Sequence, residues 1–227
     1  MSILSIGKTL HHEGLHITSI ETSALSEQQD IESYKYIIIN GGDGTIRRVL
    51  NQLHTLTDIP TFILNPTGSF NVVAKIHAAP KIEKVLDLLA KGETPKMQKH
   101  HLFRLNEELF LFSAGNMGDL QHIALSETLR FGCLKHGILK YILALLFLFP
   151  VHLIMTPFML MSKTRFFIFT PARFIKKLGS FYGEVPSKIT IDLDNDYNML
   201  ELDGDIVNVK GRHIEITQAG SVPVVTQ

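Results

Sequence analysis

The stretch from Ile37 to Leu50 constrains this 227-residue chain more than any other. An apolar run, Ile37, Ile38 and Ile39, meets Asn40, Gly41, Gly42, Asp43, Gly44 and Thr45, then passes into Ile46, Arg47, Arg48, Val49 and Leu50. Three β-branched residues in a row suit a strand covered on both faces, the kind found in parallel sheets flanked by helices. Ile46, Val49, Leu50 and Leu53 recur at helical spacing. Between strand and helix the glycines permit positive φ and close backbone approach. A helix that starts behind such a turn presents unpaired N–H groups, which favour an anion. Asp43 puts a carboxylate in the same place, so phosphate and a divalent cation could share it.

A second unit of the same kind follows. Thr61, Phe62, Ile63 and Leu64 predict a short strand, and Asn65 to Ser69 turns the chain toward another helix. Two successive strand-turn-helix units imply parallel strands, with the turns at their carboxyl ends facing one cleft. Upstream, Ile3, Ile6 and Leu10 place Ser2 to Glu13 as a weak helix stopped by Gly14. His16 to Thr22 alternates like a half-buried strand, and Ser26 to Ser33 reads as a polar helix. Ile82 to Leu89 predicts a further helix ending at Gly92, and the Pro95 connection marks a passage between domains at 1–95 and 96–227. Beyond it, Met97 to Leu105 and Glu108 to Ser113 read as antiparallel strands. Ile189 to Leu193, Asn198 to Leu202, Ile206 to Val209 and His213 to Thr217 complete an antiparallel tail.

Lys plus Arg and Asp plus Glu both total 22, so no global field draws nucleic acid, which is excluded as a partner. The single Cys133 rules out an internal disulfide and fits a reducing cytoplasm, and the N-terminus lacks the long apolar core of a secretory signal. A cytoplasmic protein is expected. The pairs His11 with His12 and His100 with His101 read as surface features, because neighbouring residues point apart on a helix or strand. Leu134 to Met161 is the most hydrophobic region, without Lys, Arg, Asp or Glu between Tyr141 and Met161. Pro150 and Pro157 cut it, and the uninterrupted part Tyr141 to Phe149 is too short to cross a bilayer. A buried helix followed by a strand, an interfacial surface and a span all stay open. Arg130, Lys135 and Lys140 before the run, and Lys163, Arg165, Arg173, Lys176 and Lys177 after it, suit peripheral contact with an anionic leaflet.

Gly41 to Thr45, read as GGDGT after an isoleucine strand, resembles the signature of a superfamily that contains diacylglycerol kinases, sphingosine kinases, bacterial lipid kinases and NAD kinases. The lipid-kinase branch fits best. Pro66 to Lys75, PTGSFNVVAK, stands where that branch has PLGTGNDFAR, and Leu202, Asp203, Gly204, Asp205 resembles its DGE. The resemblance implies an α/β N-terminal domain with a parallel, nucleotide-binding three-layer arrangement, plus a mostly antiparallel β C-terminal domain. It implies an enzyme that uses ATP and Mg2+ to phosphorylate a lipid substrate at a membrane surface, the inner face. Gly41, Gly42, Asp43, Gly44, Thr45, Gly68, Ser69 and Asn71 would hold the nucleotide, Asp43 and Asp203 the metal, and Asp43 and Asp205 would be catalytic, with Asp205 as the base. Asp119 loosely matches a segment that packs the second domain on the cleft.

The departures are specific. A first strand with an NPxSG turn is not found, Arg47 and Arg48 replace Asn and Glu, Val72 replaces Asp, and a late metal-coordinating segment is missing. They keep open a catalytically weakened nucleotide- or lipid-binding member of the same fold. An NAD kinase relative would want an asparagine-acid pair where this chain has Asn71 and Val72. A homodimer is compatible with the sequence and not required by it.

Overall fold

The computed structural model describes residues 2–28, 30–53, 56, 58–116 and 139–227. Asp119, Arg130, Cys133 and Lys135 lie outside the described residues. Two compact units are present, Met1–Leu102 with Ala219–Gln227, and Phe103–Gln218.

In the first unit, strands β1 (Ser2–Ile6), β2 (His16–Ile20), β3 (Tyr36–Gly41) and β4 (Thr61–Pro66) form a parallel sheet in the order β2-β1-β3-β4. Val224, near the chain's end, pairs in parallel with Phe62 of β4. Helix α1 (Asp43–Leu53) connects β3 to β4, and α2 (Val72–Ile76) and α3 (Ile82–Ala90) follow β4. Ile82, Val85, Leu86 and Leu89 of α3 join Ile3, Ile38, Ile63 and Val225 in one core cluster. The alternate residues Ile37, Ile39, Phe62 and Leu64 point to the other face and are equally buried. Helix α1 packs against β3 and buries Ile46, Val49, Leu50 and Leu53. The isoleucine run is thus a strand covered on both sides, each side chain contributing roughly 1.5–3 kcal/mol by leaving water.

Two expectations for this unit are corrected. Ser2 to Ile6 is a strand lying between β2 and β3, so the first strand is present, and what differs from the family is the turn after it, Gly7, Lys8, Thr9. Ile3, Leu4, Ser5 and Ile6 are all buried, and full burial erases the alternation that would have marked a strand. Ser26 to Ser33 is not an α-helix; two 3-10 turns, Thr22–Glu27 and Ile31–Ser33, take its place. Leu25 is their one buried residue, so there is no apolar stripe to hold a longer helix.

The second unit contains the end of β5 (Met97–Leu105) with β6 (Glu108–Phe110), and β11 (Lys188–Asp192) with the start of β14 (His213–Val225), all antiparallel pairs. A separate sheet has the order β13-β12-β7-β8-β10-β9, built from β7 (Ser113–Gly115), β8 (Phe167–Phe169), β9 (Lys177–Leu178), β10 (Phe181–Tyr182), β12 (Tyr197–Leu202) and β13 (Asp205–Lys210). It is antiparallel apart from the β8–β10 pair. Phe103 and Phe110 stack at 5.3 Å in a core shared with Phe166, Leu200, Ile214 and Ile216. Between β7 and β8 lies α4 (Leu139–Met161), one helix that continues through Pro150 and Pro157. Of the three readings left open for this run, a helix followed by a strand is not what forms, because the helix continues through both prolines. Among the described residues no helix is long and apolar enough to cross a membrane.

His100, expected at the surface, is instead 6% exposed and its Nδ1 lies 2.9 Å from Nε2 of His77, itself 3% exposed. The rings meet edge to face. Burial lowers the pKa of His77 below its ordinary 6.5, and a hydrogen bond with Gln98 works weakly against that. A histidine held neutral in the fold takes up a proton more readily once unfolded. Its contribution is therefore complete above the ordinary value and is lost as pH falls below it. The melting temperature is expected to drop on acidification from pH 7.5 to 5.5, and His77→Gln should flatten that drop, as measured by calorimetry at both pH values.

Candidate functional site

Strands β3 and β4 end in register, Asn40 beside Asn65 and Gly41 beside Pro66. The Asn40 amide donates to Ser5 Oγ at 3.0 Å and to the Ile6 carbonyl at 2.9 Å, while its oxygen accepts from the Asn65 amide at 2.7 Å. These contacts tie the carboxyl ends of β1, β3 and β4 together. That end of a parallel sheet is where open α/β folds bind ligands. By sequence alone Asn40 and Asn65 read as turn residues. The signal available was two asparagines, each closing an apolar strand.

Beyond the strands the two glycine turns touch. A Cβ on Gly68 would sit 2.8 Å from the Gly42 Cα and 2.8 Å from Asn71 Oδ1, and a Cβ on Gly41 would sit 2.5 Å from the Thr45 Cβ. Both glycine-bearing segments are glycine for want of room. Asn71 adopts φ 49° and ψ 53°, accepts the Gly68 N–H at 3.0 Å and donates to the Gly68 carbonyl at 2.6 Å, closing its own turn. Asp43 opens α1, yet its carboxylate serves the neighbouring helix. Oδ2 accepts the Val72 N–H at 2.7 Å and Oδ1 accepts the Val73 N–H at 3.0 Å, so Asp43 caps α2. Burial raises its pKa, against the two N–H bonds and the charge of Lys75, which lower it.

The remaining predicted contacts divide. Gly41 is buried and Gly42, Gly44 and Thr45 are half-buried along the turn, while Thr67, Gly68 and Ser69 are exposed. The N–H groups of Thr45 and Ile46 already donate to the Gly42 carbonyl. Arg47 and Arg48 part company: Arg47 is 6% exposed, on the same side of α1 as Ile46 and Leu50, and Arg48 is exposed, with Nη2 3.4 Å from Thr45 Oγ1. Consecutive helix positions lie about 100° apart, enough to send one side chain inward and the other out.

In the second unit, Asp203 (φ 53°) and Gly204 (φ 88°) make the two-residue turn that joins β12 to β13, with Leu202 opposite Asp205. The Asp203 carboxylate accepts three backbone N–H groups, from Leu111 at 2.7 Å, Phe112 at 2.9 Å and Ser113 at 3.1 Å. Glu201 beside it accepts from Ser113 Oγ at 2.8 Å and from the Gly204 N–H. Burial pushes the Asp203 carboxyl up to about 8, helped by Glu201 and opposed by the three N–H donors. Asp203 therefore fastens the hairpin to the Leu111–Ser113 segment, a task that leaves little for a metal, since backbone N–H groups fill three of about four lone-pair sites and the residue is 5% exposed. Asp205 is half-buried at the start of β13. Among the described residues no group of three or more His, Cys, Asp or Glu gathers to hold a metal.

Residues 4–101 match the family model of the diacylglycerol kinase catalytic domain, so the resemblance read from the GGDGT and PTGSFN turns is shown over that span. A candidate lipid kinase of Streptococcus pneumoniae serotype 4 is 23% identical over 124 residues, covering 53% of this chain and 41% of that protein. The chain spans less than half the length of that relative. Two solved structures from Bacillus anthracis strain Sterne, a candidate diacylglycerol kinase and a diacylglycerol kinase, superpose with TM-scores of 0.58 and 0.56 at 14% and 15% identity. Each covers 100% of this chain and 96% of its own. At that identity they show a common fold.

If Asp43 and Asp203 hold their units' turns together, replacing either carboxyl group weakens the fold. Asp43→Asn is expected to cost about 1–3 kcal/mol and Asp203→Asn at least as much, because each puts an amide N–H where backbone N–H groups point. Gly68→Ala should destabilise by about 1–3 kcal/mol through the clash with Gly42. Urea unfolding of the three variants checks these values.

Proposed function

We propose, starting from the diacylglycerol kinase catalytic domain match of residues 4–101, that the chain is a lipid kinase transferring the ATP γ-phosphoryl group to a lipid hydroxyl. The observation that carries the reading is the paired turns at the carboxyl ends of β3 and β4, with Gly42 against Gly68 and Asp43 bridging to Val72 and Val73. Phosphoryl transfer depends chiefly on positioning and charge stabilisation, and two turns locked edge to edge supply a rigid platform for phosphates. Thr67, Ser69 and the half-buried Thr45 offer hydroxyl groups there. The acceptor oxygen attacks the γ-phosphorus, the bond to the β–γ bridging oxygen breaks, and the hydroxyl proton passes to a carboxylate. Asp205, the carboxylate of its turn that is not enclosed, is the candidate base.

Magnesium would neutralise phosphate charge in such a reaction. Asp43 is the residue that fits it, because a carboxylate has lone pairs beyond the two taken by backbone N–H groups. Asp203 does not fit. That enclosure, together with Arg47 and Val72 in place of family residues, favours a second reading: a member that binds nucleotide or lipid with little catalysis.

Labelled ATP, magnesium and mixed-lipid vesicles distinguish the two. Wild type is expected to yield labelled lipid, with Asp205→Ala lowering the rate by roughly 100-fold or more. Absence of labelled lipid from wild type, while ATP still raises its melting temperature, would replace the kinase reading with the binding one.

A further inference from the structure

Helix α4 exposes apolar side chains at most of its described positions. Leu146, Phe147, Leu153, Ile154, Phe158 and Met161 are all between 64% and 84% exposed. At about 100° per residue, the described exposed apolar positions from Ile142 to Met161 sweep an arc of roughly 180°. A seam for another helix is narrower, closer to 100°. So wide an apolar arc suits a fluid medium better than a shaped protein groove.

The chemistry around it is one-signed. From Leu139 to Gly183 there is no Asp or Glu, while Lys140, Lys163, Arg165, Arg173, Lys176 and Lys177 are present, in a chain whose charges balance at 22 and 22 only when taken as a whole. Arg173 to Leu178 mixes three cations with three apolar residues, and Phe174 is 83% and Leu178 57% exposed. This segment is fixed beside the end of α4. Lys177–Leu178 pairs with Phe181–Tyr182 as a hairpin, and Lys177 Nζ lies 4.9 Å from the Tyr182 ring centre. At the hairpin's turn the Ser180 N–H and hydroxyl both donate to the Leu160 carbonyl at 2.9 Å. Gly179, with φ +59°, has no room for a Cβ, which would fall 2.1 Å from that same carbonyl. The last turn of α4 and the basic hairpin thus form one rigid edge.

We propose that α4 and the Arg173–Tyr182 segment dock into an anionic lipid leaflet, Phe174 and the exposed α4 side chains entering the acyl boundary and Arg173, Lys176 and Lys177 meeting the headgroups. Apolar area with a basic rim is what interfacial helices use, and charge of one sign selects an anionic surface over a protein face of mixed charge. The inference is independent of phosphoryl transfer, and its test uses no ATP.

The chain has no tryptophan, so Phe174→Trp places a single indole at the proposed depth. The variant is mixed with phosphatidylcholine vesicles, or with vesicles containing about one-third phosphatidylglycerol. With the anionic vesicles the protein should sediment and its emission move to the blue, and both effects should fade at about 0.5 M salt. Lys176→Gln with Lys177→Gln, both exposed, should weaken partitioning about 30-fold, roughly fivefold per cation, with circular dichroism unchanged. A folded protein that stays in the supernatant with anionic vesicles overturns the proposal. So does a blue shift that grows with protein concentration in the absence of lipid, which assigns the face to a second copy of the chain.

Discussion

Two backbone N–H groups at the start of α2 donate to one carboxylate at the start of α1, and the carboxyl edge of the parallel sheet is organised around that contact. Helix α2 has five residues, too few to persist alone. Its first N–H groups have no intrahelical acceptors, and the αL residue Asn71 spends its amide on Gly68 instead. Asp43 fills the gap from across the sheet edge. Hydrogen bonds to a charged acceptor contribute about 1.5–3 kcal/mol each, and here they offset part of the cost of burying that carboxylate. The closeness of Gly42 and Gly68 is part of the same arrangement, since the carboxylate reaches Val72 and Val73 only when the turns abut.

The second unit repeats the device. Asp203 occupies a hairpin turn whose positive φ values suit Asp and Gly, and its carboxylate gathers the N–H groups of Leu111, Phe112 and Ser113. In both units an aspartate of a family-like motif joins a turn to a distant backbone segment. A motif of this kind can persist for architecture as much as for chemistry. Asp205, half-buried and outside that clamp, is placed differently.

Much of the fold is legible in local pattern. The isoleucine run, the helix from Asp43 to Leu53, the strand at Thr61 and the helix at Ile82 follow from burial on one or two faces and from period 3.6. Ser2 to Ile6 was misleading because a strand with both faces covered carries no alternation, and Ile3 and Ile6 happen to match a helical spacing. The prolines of α4 suggested a break, but the helix runs on through both. His100 looked like half of a surface pair, and its burial depends on His77, a residue 23 positions away.

The sequence by itself determined where the two glycine turns lie, that each joins a buried strand to a helix, and that an aspartate accompanies the first. These are local matters of φ, periodicity and apolar run length. Only the tertiary structure decided what the polar residues do. Whether a carboxylate meets a cation or a backbone N–H, whether Arg47 or Arg48 turns inward, and whether Asn40 faces solvent or ties three strands together are settled by partners distant in the chain. Spacing along the chain cannot carry that information, because each such contact is fixed by how close two turns are packed.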